Sequence, residues 1–253
     1  MCRHLGYLGP PRAVGELLTA GTHSLFVQSW APRDMRGGGT INADGFGVAW
    51  WDGAAGVRGY RNAAPIWSDP AVGGVLAGVR SGSVLAAVRS ATVGMPLERA
   101  ACAPFEDGSW AFSLNGLIGG WPESIAALAE WLPAVELLRM PALTDSALVW
   151  TLVRRRLVAG GPADALRSVI SDVLAAAPRS RLNLLLGDGS TLWASTVGHS
   201  LWARVDDATA LVASEPVDDG PGWIQVPDRR LVRARPGQLE ITELDITEAE
   251  GRS

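Results

Sequence analysis

Met1-Cys2-Arg3-His4-Leu5-Gly6-Tyr7-Leu8-Gly9 is the stretch around which the 253-residue chain is organised, and its centre is the sulfur of Cys2. A small residue after the initiator is compatible with removal of Met1, which would leave a cysteine carrying its own free α-amine. An ordinary thiol titrates near about 8.5 and an α-amine near about 7.7–8.0, so close to neutral pH part of the amine is unprotonated and can take the thiol proton. Nucleophilic catalysis needs such a neighbouring base. Taken alone, Cys2 is equally an ordinary second residue, so its meaning depends on the rest of the chain.

Composition narrows the classes. With 47% hydrophobic and 19% charged residues, the chain can bury a substantial core. It contains no apolar run long enough to span a bilayer, and its first residues lack the basic start and apolar block of a signal peptide, so a cytoplasmic location is expected. Cys2 and Cys102 are the only cysteines, and His4, His23 and His199 are isolated from one another. No disulfide framework, metal site or cofactor is therefore expected. The net charge of −4 argues against a nucleic-acid partner, which needs an excess of positive charge. Arg154-Arg155-Arg156 reads as the solvated face of a helix.

Periodicity and turn residues divide the chain into elements. Part of Val14–Trp30 is helical in pattern, interrupted at Gly21. A Gly- and Pro-rich loop, 31–43, leads through Asp44-Gly45 into an apolar strand ending at Trp51, and Gly53 begins a hairpin to Val57–Arg61. Ser83–Ser90, Trp110–Leu114 and Leu182–Leu186 read as strands. Helices are expected over Ser124–Leu132, over Ala147–Val158 behind Thr144-Asp145-Ser146, and over Ala163–Ala176 behind Pro162. Further strands are expected at Thr191–Ser195, Leu201–Val205, Ala210–Ser214, Leu231–Arg235 and Leu239–Leu244. Strands, then helices, then strands imply packed sheets with helices outside. One domain over 2–246 and a frayed tail over 247–253 are expected.

Several polar groups interrupt the apolar strands. Arg89 ends Val88-Arg89-Ser90-Ala91-Thr92, Asn115-Gly116 follows Phe112-Ser113-Leu114, and Asp145 heads a helix. Each has a plain reading: a salt-bridge partner, a turn and an N-cap. Together they supply what hydrolysis of an amide with an amino-acid head requires, namely a thiolate, an oxyanion donor, a fork for a carboxylate and an anion for an ammonium.

The order of Cys2, Asp44-Gly45-Phe46-Gly47, Arg89-Ser90-Ala91-Thr92, Leu114-Asn115-Gly116 and Thr144-Asp145-Ser146 resembles the class II glutamine amidotransferases over nearly the whole chain. Ser214-Glu215-Pro216, Gly222-Trp223 and Val226-Pro227-Asp228 narrow the resemblance to members acting on γ-glutamyl precursors of ergothioneine. The resemblance implies an α+β fold of the N-terminal-nucleophile (Ntn) hydrolases, a four-layer α/β/β/α sandwich of two antiparallel sheets. It also implies roles: Cys2 attacks a γ-glutamyl carbonyl, Asn115 and Gly116 hold the oxyanion, Arg89 grips the α-carboxylate and Asp145 receives the α-ammonium, with Thr92 among the substrate-binding residues. The partner is a small γ-glutamyl molecule; neither nucleic acid nor membrane is implied, and the oligomeric state is left open. Where the family often has His before Asn-Gly and Trp after the binding Arg, this chain has Leu114 and Ser90.

Ergothioneine precursors carry a trimethylammonium group, and the chain has 11 Trp against two Tyr and four Phe. Aromatic faces attract such cations, which makes Trp30, Trp121 and Trp223 candidates alongside their plain role in packing. Family members that use ammonia carry or bind a synthase, so a free-standing hydrolase is the simpler reading. The alternatives are a glutaminase subunit feeding a partner, an acylase cutting fatty or bile-type amides, and a binding module that has lost catalysis. A Cys2/His4 dyad is a further possibility, against which stands a structural His4. Apolar neighbours mark Cys102 as a buried, inert thiol.

Overall fold

A computed structural model describes residues 2–34, 41–53 and 56–245. Met1, part of the 31–43 loop and the expected tail 247–253 lie outside the described residues. The strands, in chain order, are β1 (Arg3–Ala13), β2 (Phe46–Trp51), β3 (Val57–Asn62), β4 (Arg80–Val88), β5 (Phe105–Asp107), β6 (Trp110–Leu117), β7 (Arg181–Gly187), β8 (Leu192–Thr196), β9 (Trp202–Val205), β10 (Ala210–Ala213), β11 (Ile224–Gln225), β12 (Arg230–Arg235) and β13 (Gln238–Glu243). They form two sheets, seven strands in the order β11-β9-β10-β1-β4-β2-β3 and six in the order β13-β12-β8-β7-β6-β5. Neighbouring strands pair antiparallel throughout.

The layering follows from side-chain alternation along each strand. In β4, Val84, Ala86 and Val88 point to a core shared with the short helices Val14–Thr19, Leu25–Gln28 and Val75–Gly78. Leu85, between them, points into the space between the sheets with Leu8, Ala49 and Val212. In β7, Leu182, Leu184 and Leu186 face the helices Asp145–Leu157 and Pro162–Ala176, whereas Leu185 faces the other sheet. Because both faces of both sheets are covered, the strands read as nearly continuous apolar runs. Three cores separate four layers, the α/β/β/α arrangement the resemblance implies.

The expected strands are present, shifted by a few residues at their ends. Three departures have physical reasons. Ser124–Leu132 shrinks to one turn of 3₁₀ helix and Ala126–Ala129, since Leu128 has only partial cover and Trp131 is 81% exposed. Asn115-Gly116 is no turn: both lie inside β6, opposite Asn183 and Leu182 of β7. A Cβ on Gly116 would meet the Arg181 carbonyl oxygen at 1.9 Å, so glycine is there for sheet packing rather than for chain reversal. The third is β1 itself, which sits centrally between β10 and β4, although Gly6, Gly9 and Pro10 weaken its strand pattern. A Cβ on Gly6 would lie 2.9 Å from the methyls of Leu192 on β8, which identifies the close approach of the two sheets as the reason for glycine.

His4, on β1, belongs to the space between the sheets. It is 1% exposed, and its Nδ1 lies 3.0 Å from the Ser113 hydroxyl of β6. Burial, and then the charges of Arg3 and His199, hold its pKa down to about 3 from 6.5. The unfolded chain takes up a proton below about 6.5 while the folded chain does not, so the stability from His4 is complete above that pH and is lost as pH falls toward about 3. The slope is up to about 1.4 kcal/mol per pH unit. Urea unfolding midpoints should therefore drop between neutral pH and about pH 5, and His4→Gln should drop less. Parallel curves for the two proteins would refute this assignment.

Candidate active site

The approach to Cys2 is built from three strand ends. Cys2 immediately precedes β1, Arg89 follows β4, and Gly116 lies near the end of β6. The Asp44-Gly45 turn is bonded to the second: the Asp44 N–H donates to the Arg89 carbonyl at 2.9 Å, the Arg89 N–H to the Gly45 carbonyl at 2.8 Å, and the Ala91 N–H to the Asp44 carboxylate at 2.7 Å. Gly45 adopts φ +113°, and a Cβ there would sit 2.4 Å from the Cys102 sulfur. Cys102 thus packs under the turn, fully buried, with burial raising its thiol pKa. It is the inert cysteine.

Cys2, Arg89, Thr92, Gly116 and Asp145 line one cleft. The Cys2 thiol faces the Ser90 carbonyl at 3.7 Å. Asn115 lies behind the wall, 1% exposed, its Nδ2 3.3 Å from the Ser214 hydroxyl and its Oδ1 without a partner. All six residues expected from the sequence therefore converge, five on the surface of the cleft and one behind it. His4 faces Ser113 instead of Cys2, which leaves no Cys/His dyad. Among the described residues no group of His, Cys, Asp and Glu could hold a metal ion.

The cleft carries opposite charges. Arg89 is 8% exposed and donates one hydrogen bond, from Nη1 to the Pro96 carbonyl at 2.9 Å, which leaves other N–H groups of its fork free for a carboxylate. Asp145 is also 8% exposed. It is not the cap of its helix: Thr144 takes that role, accepting from the Ala147 N–H at 3.2 Å. The Asp145 carboxylate instead receives the N–H groups of Ile118 at 3.1 Å and Ser146 at 2.7 Å. Burial raises its pKa, opposed by those hydrogen bonds and by Arg89. A desolvated carboxylate beside a guanidinium suits a zwitterionic amino-acid head.

Sequence reasoning assigned no role to the residues that hold Cys2 in place. Arg3 forms a buried ion pair with Glu215, Nε to Oε1 2.8 Å, with both side chains 2% exposed. Its Nη1 also donates to the Cys2 carbonyl at 3.0 Å and its Nη2 to the Asp34 carbonyl. The other Glu215 oxygen takes the Arg33 N–H at 2.8 Å. Ser214, next along the chain, accepts the His4 N–H at 3.0 Å and donates its own N–H to the His4 carbonyl at 3.0 Å. The signal was present in Ser214-Glu215-Pro216, a charged residue straight after an apolar strand.

An adjoining groove shares Thr92, Met95 and Asp145 with the cleft and continues along Ile118, Trp121 and Leu143. Of the three candidate tryptophans, Trp121 alone lines it. Trp223 is covered by Arg204, 4.6 Å from its ring centre, and bonded to Asp218 at 3.1 Å. Trp30 packs edge-on against Phe26 and Trp67.

Two antiparallel sheets between helical layers, with a cysteine at the head of a central strand and an Arg and an Asp lining the same cleft, are the architecture of an amidohydrolase. The family Glutamine amidotransferases class-II matches residues 18–204, and the chain belongs to it. It is 40% identical to the gamma-glutamyl-hercynylcysteine sulfoxide hydrolase of Mycolicibacterium smegmatis, covering 96% of this chain and all of that one. With the protein of the same description from Mycobacterium tuberculosis it shares 42% identity over 97% of each chain. A glutamine aminotransferase class-II domain protein from Silicibacter pomeroyi superposes with a TM-score of 0.69 at 24% identity, over 96% of this chain and 99% of that one. The glutamine phosphoribosylpyrophosphate amidotransferase of B. subtilis gives 0.65 at 16% identity, this chain spanning 50% of its length.

Two outcomes follow from the electrostatics. Glu215→Gln leaves the Arg3 charge buried without its counterion, which should cost about 3 kcal/mol in urea unfolding; an unchanged midpoint would show the pair to be dispensable. The expected role of Asp145, receiving an ammonium, requires an ionised carboxylate. As pH falls through its raised pKa the carboxyl takes a proton, so KM should climb on the acid side. In Asp145→Asn, KM should be high at every pH, without that acid limb. Retention of the limb in the variant would assign it to another group.

Proposed function

We propose that the chain hydrolyses the γ-glutamyl amide bond of γ-glutamyl-hercynylcysteine sulfoxide, releasing glutamate and hercynylcysteine sulfoxide. The observation that carries this reading is the placement of Arg89 and Asp145 in the cleft with Cys2, which suits a γ-glutamyl head. The relatives at 40% and 42% identity over nearly full length support the same substrate.

With Met1 removed, the α-amine of Cys2 takes the thiol proton and the sulfur attacks the γ-carbonyl. The oxyanion is held by the Asn115 amide and the Gly116 N–H; a donor of this kind is worth about 3–4 kcal/mol where one has been removed. Collapse breaks the C–N bond, the protonated α-amine gives its proton to the leaving amine, and a γ-glutamyl thioester remains on Cys2. Water, deprotonated by the same amine, adds to the thioester and releases glutamate. Arg89 and Asp145 hold the head so that the carbonyl stays over the sulfur through both steps. The leaving portion extends along the groove toward Trp121, whose indole face suits the trimethylammonium of a hercynyl group.

Purified protein lacking Met1, as read from its intact mass, should release glutamate from the sulfoxide substrate far faster than from glutamine, and Cys2→Ala should release none. Trp121→Leu should raise KM for the sulfoxide up to about tenfold with little change for glutamine. Preference for glutamine would instead support an ammonia donor acting with a partner. No release from either substrate would favour a binding module.

A further inference from the structure

We propose that Ser214 is a positioning residue for the Asn115 amide, setting which of its two ends meets the oxyanion. This rests on the reading of Asn115 as an oxyanion donor. Two groups next to each other are left unsatisfied: Asn115 Oδ1 is buried without a partner, and the Ser214 hydroxyl, fully buried, accepts from the His4 N–H and from Asn115 Nδ2 while its own proton goes to no acceptor. Buried polar groups left unpaired are costly. A half-turn of the Asn115 amide pairs both without moving another atom, and leaves the amide nitrogen as the one group awaiting an acceptor. The Ser214 O–H then donates to Oδ1 across the same 3.3 Å separation, and the two hydrogens of Nδ2 face the side where no protein acceptor claims them.

That orientation is the one an oxyanion needs, since an amide nitrogen stabilises negative charge and an amide oxygen repels it. Ser214 is suited to favour it because the His4 N–H already engages one of its lone pairs, and its backbone is tied to His4 by the Ser214 N–H to His4 carbonyl bond. The hydroxyl therefore has its proton to offer and an acceptor to find. One serine ties the strand that carries the nucleophile to the amide that receives the charge.

Ser214→Ala should lower kcat at least tenfold with KM within about twofold, because the interaction matters only once the oxyanion forms. Ser214→Cys, with a weaker donor of similar size, should fall between and guards against a misfolded alanine variant. The rate of Cys2 alkylation by iodoacetamide should stay as in the wild type. Its decline in step with kcat would mean that Ser214 serves only β1, and the proposal would fall. In an Asn115→Ala background, Ser214→Ala should add no further loss of kcat; an equal loss there overturns the proposal. If Asn115→Ala alone leaves kcat intact, the oxyanion role of Asn115 fails instead, and that result is separate from the Ser214 cycle.

Discussion

The Arg3 guanidinium lies against the Glu215 carboxylate where water does not reach, and the position of Cys2 depends on that contact. Arg3 restrains Cys2 by bonding its carbonyl, and Glu215 fixes Arg3 while also collecting the N–H of Arg33. A buried ion pair is seldom a large net source of stability. Its use here is geometric, since two rigid, fully bonded groups define one position for the residue beside them.

The cleft follows a similar logic with its charges held apart. Arg89 and Asp145 both lie near the limit of burial yet make no salt bridge; each is held by backbone groups, Arg89 by the Pro96 carbonyl and Asp145 by the Ile118 and Ser146 N–H groups. A carboxylate and a guanidinium kept from neutralising each other stay available to a zwitterion. The Asp145 pKa is raised by burial, which its hydrogen bonds and Arg89 oppose.

Much of this was legible in the chain. The apolar runs of β4 and β7 and the capped helix at Thr144 follow from periodicity and capping, which are local rules. All six expected site residues gather at the cleft, because the order of the motifs carries more information than any one of them. What escaped was non-local. Asn115-Gly116 has the composition of a turn, and only the pairing with β7 makes it strand. Gly6 weakens β1 locally for the sake of Leu192 on the other sheet. Arg3 lies more than two hundred positions from Ser214 and Glu215 in the chain, and contacts at that separation have no periodic signature. Trp121 could be told from Trp30 and Trp223 only by knowing which of them lines the groove beside the cleft.

The central place of β1 has a consequence for how activity arises in time. Both its edges are occupied, by β4 and by β10, and the residues that clamp it, Ser214 and Glu215, come directly after β10. In chain order Cys2 precedes those residues by more than two hundred positions. Until about residue 215 is available, strand β1 lacks one neighbour and Arg3 lacks its counterion. Contacts of such high sequence separation close slowly, so the surroundings of Cys2 are completed late in folding, and whatever the cleft does waits on them.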